Sequence, residues 1–259
     1  MNTVNRYGFP SYTIGLLHGG PGAAGELKVV AKKLSSAFGV LELIQTKKSV
    51  NAQIEELFEQ LNSFANFPVI LIGYSWGAWL GFLFASRYPE LVKKLILLSA
   101  GAFERKYNMD LMKIRFERLT QSERTEAESL FQMIKNGNKE NNILNRFGKL
   151  MSLADTYEIL YVEDDGVNVD MEIHQSVWKE AAKLRDTGQL LDCAKTIECP
   201  VVAIHGDYDS HPVKGVEEPL SKRLKRFKMI TLEKCGHTPW KEKFAKDKFF
   251  TILEKELVE

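Results

Sequence analysis

The chain has 259 residues, 44% apolar and 27% charged, the usage of an ordinary soluble globular protein, so collagen-like, disordered and membrane-embedded classes drop out. With 35 Lys and Arg against 34 Asp and Glu, the formal charge of +1 gives no basis for gripping a phosphate backbone, and no nucleic-acid partner is expected. Three cysteines, Cys193, Cys199 and Cys235, form no C-x-x-C pair, the start MNTVNRYGFPSYTIG lacks a signal-peptide pattern, and no apolar run reaches the ~18 residues of a membrane span, so a cytoplasmic location is expected.

In chain order, YTIGLL at 12–17 is the first apolar run of strand length, and HGGPG at 18–22 follows it directly. In AAGELKVVAKKLSSAF at 23–38 apolar residues recur every three or four positions, which predicts a helix opened by the glycine-rich loop. VLELI at 40–44 reads as a strand, NAQIEELFEQLNSF at 51–64 as an amphipathic helix, and PVILIG at 68–73 and KLILLS at 94–99 as two more strands. From about Phe103 to Leu190 the text is charged, helical and strand-poor, with NGNKENN at 136–142 as a breaker, which predicts an inserted helical cap. The rhythm resumes with strands PVVAIH at 200–205 and FKMITL at 227–232, separated by a solvated basic stretch KRLKRFK at 222–228, and ends in a helix within 244–257.

Continuous β-branched runs are the mark of strands buried on both faces, and their alternation with helices predicts an α/β fold. The expected architecture is a mostly parallel sheet of about six strands, with a core over 1–102 and 191–259 and a cap or lid over 103–190. Ligands of such sheets sit beyond the carboxyl ends of the strands, so each candidate residue should follow a strand.

GYSWG at 73–77 fits G-x-S-x-G with a strand before it and a helix after it. Side chains at Gly73 and Gly77 would collide with the neighbouring strand and helix, so the pattern reads as a strained turn that lifts Ser75 to the sheet edge as a nucleophile. A serine hydroxyl needs an imidazole base oriented by a carboxylate. His237 is the histidine that follows the last strand, in TLEKCGHTPW, whereas His18 and His205 end strands where neutral structural roles are expected. HGDYDSHP, after PVVAIH, offers Asp207 and Asp209 as the acid, with Asp209 preferred because it lies farther onto the loop. The chain order Ser75, Asp209, His237 is one of three known triad orders and excludes the other two.

The alternation of His205, Asp207, Asp209 and His211 admits a second reading, a divalent-metal site, which the loop-forming prolines and glycine oppose; no metal or cofactor is expected. Oxyanion donors are expected from the Trp76 N–H and from the HGGPG loop, Gly20 above all, since Pro21 has no N–H. Trp178, Phe103 and Trp240 are candidate walls of a substrate pocket, with Tyr107 and Tyr157 as further aromatic residues of the same kind.

With HGGPG and GYSWG in hand, the chain resembles the α/β-hydrolase superfamily, and the pairing of these motifs is similar to the proline iminopeptidase branch. The resemblance implies Ser75 as nucleophile, Asp209 as acid, His237 as base and Gly20 with Trp76 as oxyanion donors. It implies a serine hydrolase acting on a small ester, amide or short peptide through an acyl-enzyme. The branch adds an aminopeptidase reading, for which YVEDDG at 161–166 would supply carboxylates to a free amine, and a solvated acidic loop is the competing reading of that stretch. A ligand-binding protein on the same fold is the alternative from another class, disfavoured because it has no need of all three groups. Most members carry two further strands before the HGG loop, and only eleven residues stand before the first apolar run here, so a trimmed sheet with a bare first edge is expected.

Overall fold

The computed structural model describes residues 3–138, 140–160 and 169–259. The chain enters through Val4–Tyr7 (β1) and Tyr12–Leu17 (β2), then alternates Lys28–Leu34 (α1), Gly39–Leu43 (β3), Val50–Phe64 (α2), Val69–Tyr74 (β4), Trp76–Arg87 (α3) and Val92–Leu98 (β5). It then leaves the sheet for Leu111–Arg118 (α4), Gln121–Lys135 (α5), Asn141–Ala154 (α6), Met171–Asp186 (α7) and the short Gln189–Asp192 (α8). Val201–Gly206 (β6), Lys214–Ser221 (α9), Phe227–Leu232 (β7) and Lys246–Val258 (α10) complete it.

The strands lie in the order β1-β3-β2-β4-β5-β6-β7. The neighbours from β3 through β7 pair in parallel, the six strands that the apolar runs predict, and β1 pairs with β3 antiparallel. The edge expected to be bare is therefore covered. VNRY escaped the reading because it is four residues long and only Val4 is buried, so it carries no apolar run. Its anchor is polar: Tyr7 Oη donates to Glu42 Oε2 at 2.9 Å and Asn5 Nδ2 to the same oxygen at 3.1 Å.

Each strand feeds two cores in turn, as period-two geometry requires. Leu71, Leu95 and Leu97 pack with Ile54, Leu57 and Leu61 of α2 and with α3, whereas Ile70, Ile72, Ile96 and Leu98 pack with Val30 and Leu34 of α1 and with Phe249 and Leu253 of α10. Full burial of such a side chain contributes about 1.5–3 kcal/mol, so the two layers hold the strand ends rigidly beneath the site. A third, smaller core of Leu119, Ala127, Leu150, Met151 and Ala154 joins α4, α5 and α6.

The first predicted helix is shorter than its periodicity implied. Residues after the HGGPG loop run through turns, with Gly25 at φ +102°, and α1 starts only at Lys28. The glycine-rich loop is therefore followed by turns rather than by a helix N-terminus.

Candidate active site

Ser75 stands between β4 and α3 at φ 51° and ψ −110°, a conformation that L residues rarely adopt. Its N–H donates to the Leu98 carbonyl at 2.9 Å, which ties the turn to β5. The flanking glycines are required by contact: a Cβ on Gly73 would lie 2.2 Å from the Gly77 carbonyl oxygen, and one on Gly77 would lie 2.2 Å from that of Leu17. Backbone cannot yield cheaply on either side. Gly77→Ala is expected to cost at least about 3 kcal/mol and to lower the thermal unfolding midpoint by roughly 6–12 °C, and an unchanged melt would disprove this contact.

The 2.2 Å approach of a Cβ on Gly77 to the Leu17 carbonyl, with the His18 carbonyl at 2.6 Å from the same hypothetical atom, also brings the end of β2 and the start of HGGPG against the turn at Ser75. A Cβ on Gly19 would meet the Tyr74 ring at 2.7 Å, so the loop lies directly beside the residue before Ser75. His18 is neutral and structural: its Nδ1–H donates to the Gly19 carbonyl at 2.6 Å, its Nε2 accepts from the Gln45 N–H at 3.3 Å, and burial pushes its pKa down. Gly20 has φ +24°, and among the described residues neither its N–H nor that of Trp76 has a protein acceptor. The Trp76 ring is occupied elsewhere, its Nε1–H donating to Gln53 Oε1 at 3.2 Å.

His237 comes from the loop after β7. Gly236 and Gly206 permit its approach, since a Cβ on Gly206 would lie 2.1 Å from the Cys235 carbonyl oxygen. Its Nε2 is 3.1 Å from Ser75 Oγ and its Nδ1 is 2.6 Å from Asp209 Oδ2. Of the two acid candidates, Asp209 is the one against the imidazole; Asp207 is exposed and its Oδ1 accepts from the Cys235 N–H at 3.2 Å. Nδ1–H donating to Asp209 leaves Nε2 as an acceptor for the serine proton, the tautomer a base requires.

Asp209 is buried and serves more than one imidazole. Its Oδ1 accepts from the His211 N–H at 2.9 Å and from His211 Nδ1–H at 3.0 Å, while His205 Nε2 lies 3.3 Å from Oδ2. Burial opposes its charge, but the three surrounding histidines and the His211 bond outweigh this and hold its carboxyl well below the usual range. Burial lowers His237, yet the Asp209 charge and hydrogen bond, with Asp155 beyond, raise its pKa above the ordinary imidazole value. Since a base works only when neutral, activity resting on His237 should rise with pH through that raised value.

Of the alternating His205, Asp207, Asp209 and His211, Asp207 turns away, Asp209 and His211 meet His237, and His205 reaches Asp209. Asp209, His211 and His237 offer donor atoms within 4.8 Å of one another. Their N···O separations of 2.6 and 3.0 Å are direct hydrogen bonds, and a cation bonded to each at about 2.0–2.2 Å would need carboxylate and imidazoles to part.

The three proposed pocket walls separate. Phe103 is fully buried against Trp79 and Phe82, and Trp240 packs between Tyr74 and Phe249, so both are core side chains with no surface for a ligand. Both follow sheet elements whose apolar layers absorb them. Trp178 is 38% exposed and stacks on Trp79 at 5.7 Å, carrying α7 toward α3. The acidic stretch 161–166 lies outside the described residues. Sequence reading missed Asp155, Arg115, Ser210 and Glu242 around His237, and weighed His211 only as a metal ligand. The D-x-H spacing of Asp209 and His211 was the one local signal.

A family profile described as alpha/beta hydrolase fold matches residues 45–243. Over 58 residues the chain is 38% identical to a cis-3-alkyl-4-alkyloxetan-2-one decarboxylase of Shewanella oneidensis, a match spanning 22% of this chain and only 18% of that protein. Among solved structures, VinJ superposes with a TM-score of 0.76 at 19% identity, covering 98% of this chain and 93% of its own. A monoacylglycerol lipase from Paleococcus ferrophilus gives 0.65 at 16% identity, covering 98% and 97%. A thermophilic esterase from Thermogutta terrifontis gives 0.63 at 16%, covering 98% and 92%. At these identities the structural likeness speaks to the fold alone.

Proposed function

The chain belongs to the alpha/beta hydrolase family, and from that premise we propose that it is a serine hydrolase that cleaves a small ester or amide through an acyl-enzyme. The observation that carries this reading is the relay Ser75 Oγ to His237 Nε2 at 3.1 Å and His237 Nδ1 to Asp209 at 2.6 Å, built at the carboxyl ends of three different strands. In the mechanism, His237 takes the hydroxyl proton as Ser75 Oγ attacks the carbonyl carbon. Asp209 stabilises the imidazolium that forms, and the Gly20 and Trp76 N–H groups donate to the developing oxyanion. The imidazolium then protonates the leaving alcohol or amine, and a water molecule, deprotonated by His237, hydrolyses the acyl-enzyme. The segment 103–190 is the proposed cap, with Trp178 as its aromatic contribution to the pocket.

The lipase and esterase among the structures of similar fold favour an ester carbonyl as substrate. The HGGPG and GYSWG pairing favours a second reading, an aminopeptidase of the proline iminopeptidase kind. A panel of short-chain p-nitrophenyl esters against free and amine-blocked prolyl anilides separates them. Ester turnover without anilide turnover is the expected result, and anilide turnover lost on blocking the amine would establish the aminopeptidase instead.

A further inference from the structure

His237 is held from behind by residues that no triad scheme requires. Its backbone N–H donates to the Asp155 carbonyl at 2.8 Å, immediately after α6. Gly236 allows this, because a Cβ there would lie 2.1 Å from that same oxygen. The Asp155 carboxylate faces the acid loop: it accepts from Ser210 Oγ, next in sequence to Asp209, and from Arg115 of α4 through Nε at 2.8 Å and Nη2 at 2.5 Å. Arg115 Nε is also 3.2 Å from Ser210 Oγ, which closes a triangle. The pair is largely dry, with side-chain exposures of 15% and 8%. Glu242, fully buried, braces the same place by accepting from the N–H groups of Gly236, Tyr157 and Glu158 at 2.8–3.0 Å.

We propose that Asp155, together with Arg115 and Ser210, is a positioning unit through which the helices between β5 and β6 align His237 and Asp209. The proposal rests on the reading of Ser75, His237 and Asp209 as a catalytic relay. One residue holds the base by its main chain and the acid loop by its side chain, so the helical segment supports the site as well as flanking it. A bidentate Arg–carboxylate pair in a dry setting fixes its carboxylate in one orientation, which a lone Asp would not achieve.

The unit also sets charge. The groups facing His237 are Asp209 and His211 from the acid loop, His205 from β6, Tyr74 beside the nucleophile, Asp155 after α6 and Arg115 on α4. Burial lowers the imidazole; Asp209 and then Asp155 raise it; Arg115 opposes them. Neutralising Asp155 should therefore ease deprotonation of His237, and neutralising Arg115 should hinder it.

The test uses Asp155→Asn and Arg115→Gln, which remove charge while keeping a polar side chain, and Ser210→Ala, which removes only a hydroxyl. The expected result is that the acid limb of kcat/KM moves to lower pH in the first and to higher pH in the second, by at least about 0.3 pH units each. Ser210→Ala should lower kcat several-fold with KM unchanged. The carbon-bound proton of His237 followed by NMR across the same pH range gives the titration without turnover, so a wild-type protein that hydrolyses nothing defeats the hydrolase reading while the coupling is still measured. An unmoved His237 titration in both charge variants, with kcat of Ser210→Ala at the wild-type level, overturns the positioning unit. Because Ser210→Ala leaves the Arg115–Asp155 pair intact, it remains decisive if a charge variant does not fold.

Discussion

Ser75→Ala is expected to lower kcat by on the order of 10⁵–10⁶-fold, about 7–8 kcal/mol of transition-state stabilisation, with KM little changed. In the proposed mechanism Ser75 forms the bond that splits the reaction, and no neighbour can replace it: His237 Nε2 lies 3.1 Å from Ser75 Oγ and would face only a methyl group. The fold should survive, because alanine keeps the Cβ that the φ 51° backbone already accommodates and loses one partly buried hydrogen bond. Intact mass after fluorophosphonate treatment, read beside far-UV circular dichroism, is the direct check. A single adduct on the wild type that disappears in the variant is the expected pair of results. Activity retained near the wild-type level would sink the mechanism, and folded wild-type protein that takes no adduct would bring the ligand-binding reading forward.

The second large effect separates the two aspartates. Asp209→Asn should reduce kcat about 10⁴-fold, because an amide placed at Oδ2 can present an N–H toward Nδ1 and so stabilise the wrong imidazole tautomer. It also weakens the acceptor for His211 at Oδ1, 2.9 Å from the His211 N–H. Asp207→Asn should change kcat less than about tenfold, since its carboxylate is exposed and, among the described residues, accepts from the Cys235 N–H at 3.2 Å. Combining Asp209→Asn with Ser75→Ala should cost little beyond Ser75→Ala alone, as the three groups act as one unit. Steady-state kinetics on the four proteins decide the matter, and a silent Asp209→Asn beside a damaging Asp207→Asn would reverse the assignment. Stability should be compared near neutral pH. Asp209 has a depressed pKa, so its ionised form stabilises the fold above the ordinary carboxyl value and that contribution is lost as the pH falls through the folded value.

Much of this protein is local and was legible as text. Apolar runs that never alternate can only be buried on both faces, so six parallel strands followed from PVILIG and its counterparts. Gly73 and Gly77 announce a backbone approach too close for any side chain, and the 2.2 Å clashes are the physical form of that statement. Helix length was less legible: periodicity continued through 23–27, where Gly25 at φ +102° keeps the chain in turns.

The sequence by itself determined the sheet, the strained turn at Ser75 and the strand-end positions from which a base and an acid could reach it, because these depend on spacing within a few residues. Tertiary structure alone decided that the edge is closed by VNRY, that Asp209 and not Asp207 meets His237, that Phe103 and Trp240 are core, and that Arg115, Asp155 and Ser210 meet behind His237. Those outcomes depend on which side chains coincide in space, 28 residues apart for Asp209 and His237 and 95 for Arg115 and Ser210, and such coincidences leave no periodic trace in the sequence.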